Sequence, residues 1–280
     1  MMFKSDSDTT FSLAALTVLE LSPPEMIEVA AKAGYNAVGL RLIPATPAEH
    51  HFPLARDPAL LRHTQRALRD TGIKVLDIEI LRLKPETRII EEFAHILDIG
   101  AELGASEVLV AGNDDDLVRT IDHFAQLCEL AKPRGLNPHL EFMPWTGVKN
   151  LEQAATVVGA TRQQGYDNAC LLVDAFHFNR SASRLNTLEN VPPAWLRYVQ
   201  LCDVGGPIPD DMDEILRQAR QARCFPGDGD IDLVSLLHAL PGDMPLSLEI
   251  PTEALRQQGV SALERAQRAL TKARQLLAAL

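Results

Sequence analysis

Four residues in the second half of the chain close apolar runs with a group that can bind a metal. They are Glu141 in "PHLEFMPW", Asp174 in "CLLVDAFH", Gln200 in "YVQLCDV" and Glu249 in "PLSLEI". If the runs before them are neighbouring strands, three carboxylates and one amide converge on one point. Carboxylates gathered that closely cannot all stay ionised without a compensating positive charge. One divalent cation is the simplest source of it. Oxygen ligands favour Mn²⁺ or Mg²⁺, with Co²⁺ as a further option, and no cysteine pair has zinc spacing. His177 follows Asp174 by three residues. There an imidazole could contact substrate or move a proton.

A lone acidic residue at the end of a strand commonly caps the next helix or faces solvent. Four metal-binding groups on consecutive runs, at a comparable depth, support the cation instead. Other residues are more ambiguous. Asp77 and Glu79 in "VLDIEILRL" share one face of a strand, and Arg82 lies near its end. A Glu79–Arg82 salt bridge would account for that pair without chemistry. Trp145 can wall a pocket or pack into the core. Asp203 can orient a metal ligand from behind or simply end its strand. His50, His51, His63, His95 and His123 fall in loops or helices and are expected on the surface.

Strands must hold these groups in place. The runs "SLAALTV", "AVGLRLI", "KVLDIEIL", "SEVLVAG", "PHLEFM", "CLLVDAF", "YVQLCDV" and "PLSLEI" alternate with amphipathic stretches such as "PPEMIEVAAKAG" and "DPALLRHTQRALRDTG". Several of these stretches stop at a glycine: Gly34, Gly72 and Gly104. Eight such alternations predict an α/β protein, a single (β/α)8 barrel over residues 1–280. A doubly wound sheet would need a glycine-rich phosphate loop after the first strand, and none is present. Barrel enzymes carry their chemistry at the carboxyl ends of the strands, where the four residues fall. The irregular stretch "GGPIPDDMDEILRQARQARCFPGDGDIDL" follows the seventh strand and is expected to lie over that face.

Composition narrows the function. Lys and Arg number 27 against 38 Asp and Glu, a net charge of −11, which argues against a nucleic-acid partner. No apolar run approaches the length of a membrane span. The opening "MMFKSDSDTTFSL" lacks the apolar core of a secretory signal, so a cytoplasmic protein is expected. Cys128, Cys170, Cys202 and Cys224 suit reduced core thiols. Helical barrel exteriors often associate, so a homodimer or homotetramer is expected.

At "LEFMPW", "DAFH", "VQLCD" and "LEI" the chain resembles the xylose isomerase-like TIM-barrel superfamily of sugar and sugar phosphate isomerases and epimerases. That resemblance implies one divalent metal held by Glu141, Asp174, Gln200 and Glu249. Gln200 stands where many of the epimerases have His. In an epimerase-like scheme Glu141 and Glu249 would exchange protons with a small polyol or keto substrate. The patterns "LEFMPWTGV", "RCFPGDG" and the strand-seven Gln resemble the 3-dehydroshikimate dehydratase branch, which implies a lyase with His177 as base. That branch also implies that arginines bind an acidic substrate. Arg82 and Arg223 match its positions, and Arg41 is a further candidate. The superfamily's apurinic endonucleases need several histidines that this chain lacks. A third possibility keeps barrel and ligands as a non-catalytic metabolite-binding site.

Overall fold

A computed structural model describes residues 9–280. Eight parallel strands close into a barrel in chain order. They are β1 (Phe11–Leu13), β2 (Ala37–Arg41), β3 (Lys74–Leu83), β4 (Glu107–Gly112), β5 (Asn137–Glu141), β6 (Cys170–Asp174), β7 (Val199–Leu201) and β8 (Leu246–Leu248). Ring closure is direct, with Ser12 of β1 in register with Ser247 of β8. The helices are α1 (Pro23–Ala33), α2 (Pro58–Thr71), α3 (Ile89–Glu102), α4 (Leu117–Ala131), α5 (Leu151–Gln163) and α6 (Ala175–Arg180). They continue with α7 (Leu185–Leu188), α8 (Met212–Gln221), α9 (Leu233–His238), α10 (Glu253–Gln257) and α11 (Ala262–Ala278). Among the described residues no helix is long and apolar enough to cross a membrane.

Local signals set these boundaries. Ser22 and Glu25 form a reciprocal capping box at the start of α1, with proline in its first turn. Asp57 caps α2 by accepting from the amides of Ala59 and Leu60. Gly34 (φ 94°) and Gly72 (φ 75°) end the two helices in the left-handed region that glycine adopts without a Cβ clash. The strands β4 and β6 are buried along their whole length, which explains why they read as continuous apolar runs.

Two apolar layers result. The larger lies between sheet and helices and includes Val38, Val108, Leu140 and Leu171. The smaller fills the barrel interior with Ala37, Leu76, Leu109, Ala111, Leu172 and Tyr198. Each fully buried Leu or Val contributes about 1.5–3 kcal/mol relative to exposure. Truncating Leu172 to Ala inside the ring would cost about 2–5 kcal/mol, since the strands around it cannot collapse.

Two sequence expectations need correction here. The run "SLAALTV" is a strand only to Leu13, after which Ala15–Val18 form a 3-10 turn. The stretch after β7 is not irregular: it contains α8, whose apolar stripe buries Ile215 and Ala219. Asp211 caps that helix by accepting from the Asp213 amide. The four cysteines are free thiols.

Candidate active site and metal centre

At the carboxyl end of the barrel, Glu141 and Asp174 are the last residues of β5 and β6, Gln200 lies in β7, and Glu249 follows β8. Glu141, Trp145, His177, Arg223 and Glu249 line one narrow cavity of about 60 Å³. Arg41, Glu79 and Arg82 from β2 and β3 line its other side. A wider groove of about 680 Å³ adjoins it, sharing Ala45, Ile80 and Arg82. None of the five histidines expected on the surface lines the cavity.

The ligand set gathers, with one change of emphasis. Glu141, Asp174 and His177 each offer a ligand atom, all within 4.8 Å of one another. Gln200 joins them. With its amide nitrogen turned inward it donates to Glu141 Oε1 across 2.9 Å and to Asp174 Oδ2 across 3.3 Å. A half-turn of the amide presents its oxygen to the same point. Glu249 instead faces Arg223, whose Nη2 lies 3.0 Å from Glu249 Oε2. The other terminal nitrogen of Arg223 donates to Asp174 Oδ2 across 2.6 Å.

Electrostatics follow from this geometry. Burial opposes ionisation of Asp174, but Arg223 and His177 outweigh it and hold the carboxyl below its usual range. Glu141 is pushed well above its usual range, by burial first and then by Asp174 and Glu249. Burial also raises Glu249 to about 7, with Arg223 opposing and Glu79 adding to the rise. Burial lowers His177 to about 4, against the pull of Asp174, so its imidazole is neutral at ordinary pH. The ring stands edge-on to Trp145, centroids 5.1 Å apart, and its buried Nδ1 has no hydrogen-bond partner among the described residues. Its Nε2 lies 3.7 Å from Glu141 Oε1, beyond hydrogen-bond reach. A carboxyl short of positive charge, the ionised Asp174 beside it and a turnable amide form an oxygen donor set that fits a divalent cation.

The expected Glu79–Arg82 salt bridge does not form. Glu79 pairs with Arg41 Nη2 at 3.4 Å, because Arg41 and Glu79 are in register on adjacent strands. Arg82 donates to the side chain of Asn113 at 3.0 Å instead. Asp203 does not reach the ligands either. Its carboxylate accepts from the amides of Val204 (2.8 Å), Gly227 (3.0 Å) and Ile231 (3.0 Å), pinning the "FPGDGDI" turn. Arg223, expected at the substrate, is engaged by Asp174 and Glu249.

Sequence patterns missed two residues of the cavity and one buried pair away from it. Glu49 binds Arg41 Nη1 at 3.0 Å from a loop without a recognisable motif. Arg220 lines the cavity from α8, where its spacing reads as an ordinary exposed helix face. His139 carried a usable signal, an imidazole inside a buried strand. It pairs with Glu107 at 2.7 Å within the barrel.

The family pattern described as xylose isomerase-like TIM barrel matches residues 27–275, and the chain belongs to that family. Its relatives are isomerases and dehydratases. A 3-dehydroshikimate dehydratase of Pseudomonas aeruginosa is 29% identical over 248 residues, which cover 83% of this chain and 37% of that protein. The chain thus spans a little over a third of the length of the curated dehydratases it matches. An inosose isomerase of Bacillus subtilis is 28% identical over 168 residues, 56% of this chain and 57% of that protein. Among solved structures, the IOLI protein with a bound zinc atom superposes with a TM-score of 0.79 at 23% identity, covering 97% of this chain and 99% of that one. That likeness carries the fold.

Proposed function

We propose that this chain is a divalent-metal-dependent lyase that removes water from a hydroxylated cyclic keto acid of the 3-dehydroshikimate type. One observation carries the proposal: of the arginines that line the cavity, Arg82 and Arg220 have no carboxylate partner among the described residues. An uncharged polyol needs no guanidinium, whereas a carboxylate substrate does. The similarity to 3-dehydroshikimate dehydratases supports the same reading.

Glu141, Asp174, Gln200 and Glu249 would hold Mn²⁺ or Mg²⁺, with Co²⁺ a further option, and His177 stands at the edge of that set. Such a cation supplies polarisation of the substrate ketone, which acidifies the neighbouring carbon. His177, neutral because it is buried, takes the proton from that carbon. The next carbon loses its hydroxyl, and the proton held by His177 passes to it. One C–H and one C–O bond break, one C=C bond forms, and water leaves. Trp145 flanks the imidazole edge-on.

A second reading, isomerisation or epimerisation of a polyol ketone, draws on the carboxyls. Glu141 is raised and Glu249 stands at about 7, so one can give and the other take a proton near neutrality. Similarity to inosose isomerases supports it. Incubation of the Mn²⁺-loaded protein with 3-dehydroshikimate, inosose and a panel of ketoses, read by product mass, separates the two. Loss of water from the keto acid is expected. Products of unchanged mass, formed from ketoses alone, would replace the lyase with an isomerase.

A further inference from the structure

The cavity that holds the metal-binding groups is small, and the groove beside it is not. They measure about 60 and about 680 Å³. Only the groove falls in the range of roughly 300–1,000 Å³ usual for pockets that enclose a small organic molecule. One wall is the segment between β2 and α2, with Leu42 and Ile43; the other is α3, with Phe93 and Ile96. Apart from Arg82 at the junction with the cavity, its charged residues are Arg56, Lys84, Glu91 and Glu92. All four are exposed at the rim, where two cations cancel two carboxylates.

The walls are held apart. The amides of Leu42 and Ile43 both donate to the Glu79 carbonyl, across 2.7 and 3.1 Å, which fastens the start of the segment to β3. Glu49 accepts from the Ala45 amide across 2.9 Å while it holds Arg41. Further on, His95 Nε2 donates to the Ala55 carbonyl across 2.7 Å and ties the segment to α3. Pro44, Pro47 and Pro53 fix the backbone φ angle at three points between these ties. Apolar walls free to move would close on each other and expel water. A cleft held open in advance loses less order on binding than a mobile one.

The cleft is also continuous with the metal centre. Ala45, Ile80 and Arg82 border both spaces. Ile80 belongs to the apolar layer inside the barrel with Leu109 and Met143, and Ala45 and Trp145 pack against that layer. Apolar surface thus leads from beside His177, past Ile80, into the groove.

We infer that the substrate is extended: its reacting ring lies in the metal cavity, and an apolar arm carried on that ring lies in the groove. Ile43, Phe93 and Ile96 are the residues that select for the arm. The inference rests on the metal cavity being the reacting end, as in the lyase reading above, and does not depend on which bond breaks there.

The test uses the Mn²⁺-loaded full chain and 3,4-dihydroxybenzoate, the aromatic acid that water loss from 3-dehydroshikimate would leave. Methyl and butyl homologues, alkylated at each open ring position in turn, are compared by calorimetry. Burial is worth up to about fourfold in affinity per methylene, so one butyl isomer should bind about 10- to 60-fold more tightly than its methyl counterpart. Ile43 and Ile96 border the groove but not the cavity. Ile43→Asp and Ile96→Asp should therefore remove that gain, keep the metal content and change the affinity of the unsubstituted acid only a few-fold. Ile96→Ala should lose part of the gain, and it keeps the comparison readable if an aspartate unfolds the chain. No gain at any ring position, or a gain equal in wild type and variants, overturns the inference. If sedimentation then shows a dimer that the variants dissociate, the groove belongs to a second copy of the chain. Water loss from 3-dehydroshikimate is measured on the same samples. Water loss without an arm effect leaves the lyase and removes the arm. An arm effect without water loss leaves the arm and removes the lyase, and the absence of both removes both.

Discussion

Arg223 Nη1 lies 2.6 Å from Asp174 Oδ2, so a buried cation from the segment after α8 rests against the carboxylate that ends β6. Both side chains are almost wholly inaccessible, at 2% and 0%. Asp174 is held ionised there by Arg223, and Arg223 by Asp174 together with Glu249.

Asp174→Ala should therefore damage two properties together. It removes a metal-binding oxygen and leaves Arg223 with one carboxylate partner fewer. Breaking a buried pair from one side costs about 3–5 kcal/mol. Urea unfolding should show that loss, and elemental analysis should show failure to take up Mn²⁺. A variant with full metal content and full activity would remove Asp174 from the mechanism.

Gln200→His should keep metal binding, because an imidazole nitrogen can occupy the place of the amide oxygen. Gln200→Leu should lose affinity, since a hydrocarbon leaves Glu141 and Asp174 without their shared neighbour. Titration of the metal-free variants with Mn²⁺ separates these outcomes. Equal affinity in the Leu variant would show that Gln200 is not a ligand.

His177→Asn should lower kcat about 10²- to 10⁴-fold, the usual worth of a positioned base, with metal content retained. The imidazole is held down to about 4 by burial, so it remains a base well below the usual histidine range. The acid limb of kcat/KM should consequently appear as pH falls toward about 4, not near 6.5. An acid limb centred on the ordinary histidine value would assign the base elsewhere.

Glu107 offers a pH test away from the chemistry. Burial raises its pKa, but hydrogen bonds from His139 and Arg197 prevail and bring it down to about 2. A carboxyl whose pKa is depressed on folding stabilises the protein above its unfolded value, near 4.3. That contribution is lost as pH falls from there through about 2. Glu107→Gln should flatten the dependence of unfolding free energy on pH in that window. An unchanged slope would mean that Glu107 is not ionised in the folded protein.

The barrel was legible because its strands are sequestered on both faces and leave apolar runs with polar ends. Glu141, Asp174, Gln200 and Glu249 stood out for the same reason: each breaks such a run at one depth. Pairing was not legible. Whether Glu79 meets Arg82 or Arg41 depends on the alignment of β2 with β3, and a register shift between Val38 and Gly39 sets that alignment. The task of Asp203 was hidden because its partners, the amides of Gly227 and Ile231, are backbone groups without a residue signature. Arg220 escaped notice because an exposed arginine on an amphipathic helix looks like ordinary surface.

Arg223 Nε also donates to the Ala219 carbonyl across 2.9 Å, so one guanidinium fastens α8 to both Asp174 and Glu249. Lifting α8 would strip two carboxylates of their counter-ion in the same movement, so that wall is a fixed post. The broad groove that shares Ala45, Ile80 and Arg82 with the cavity lies outside this clamp.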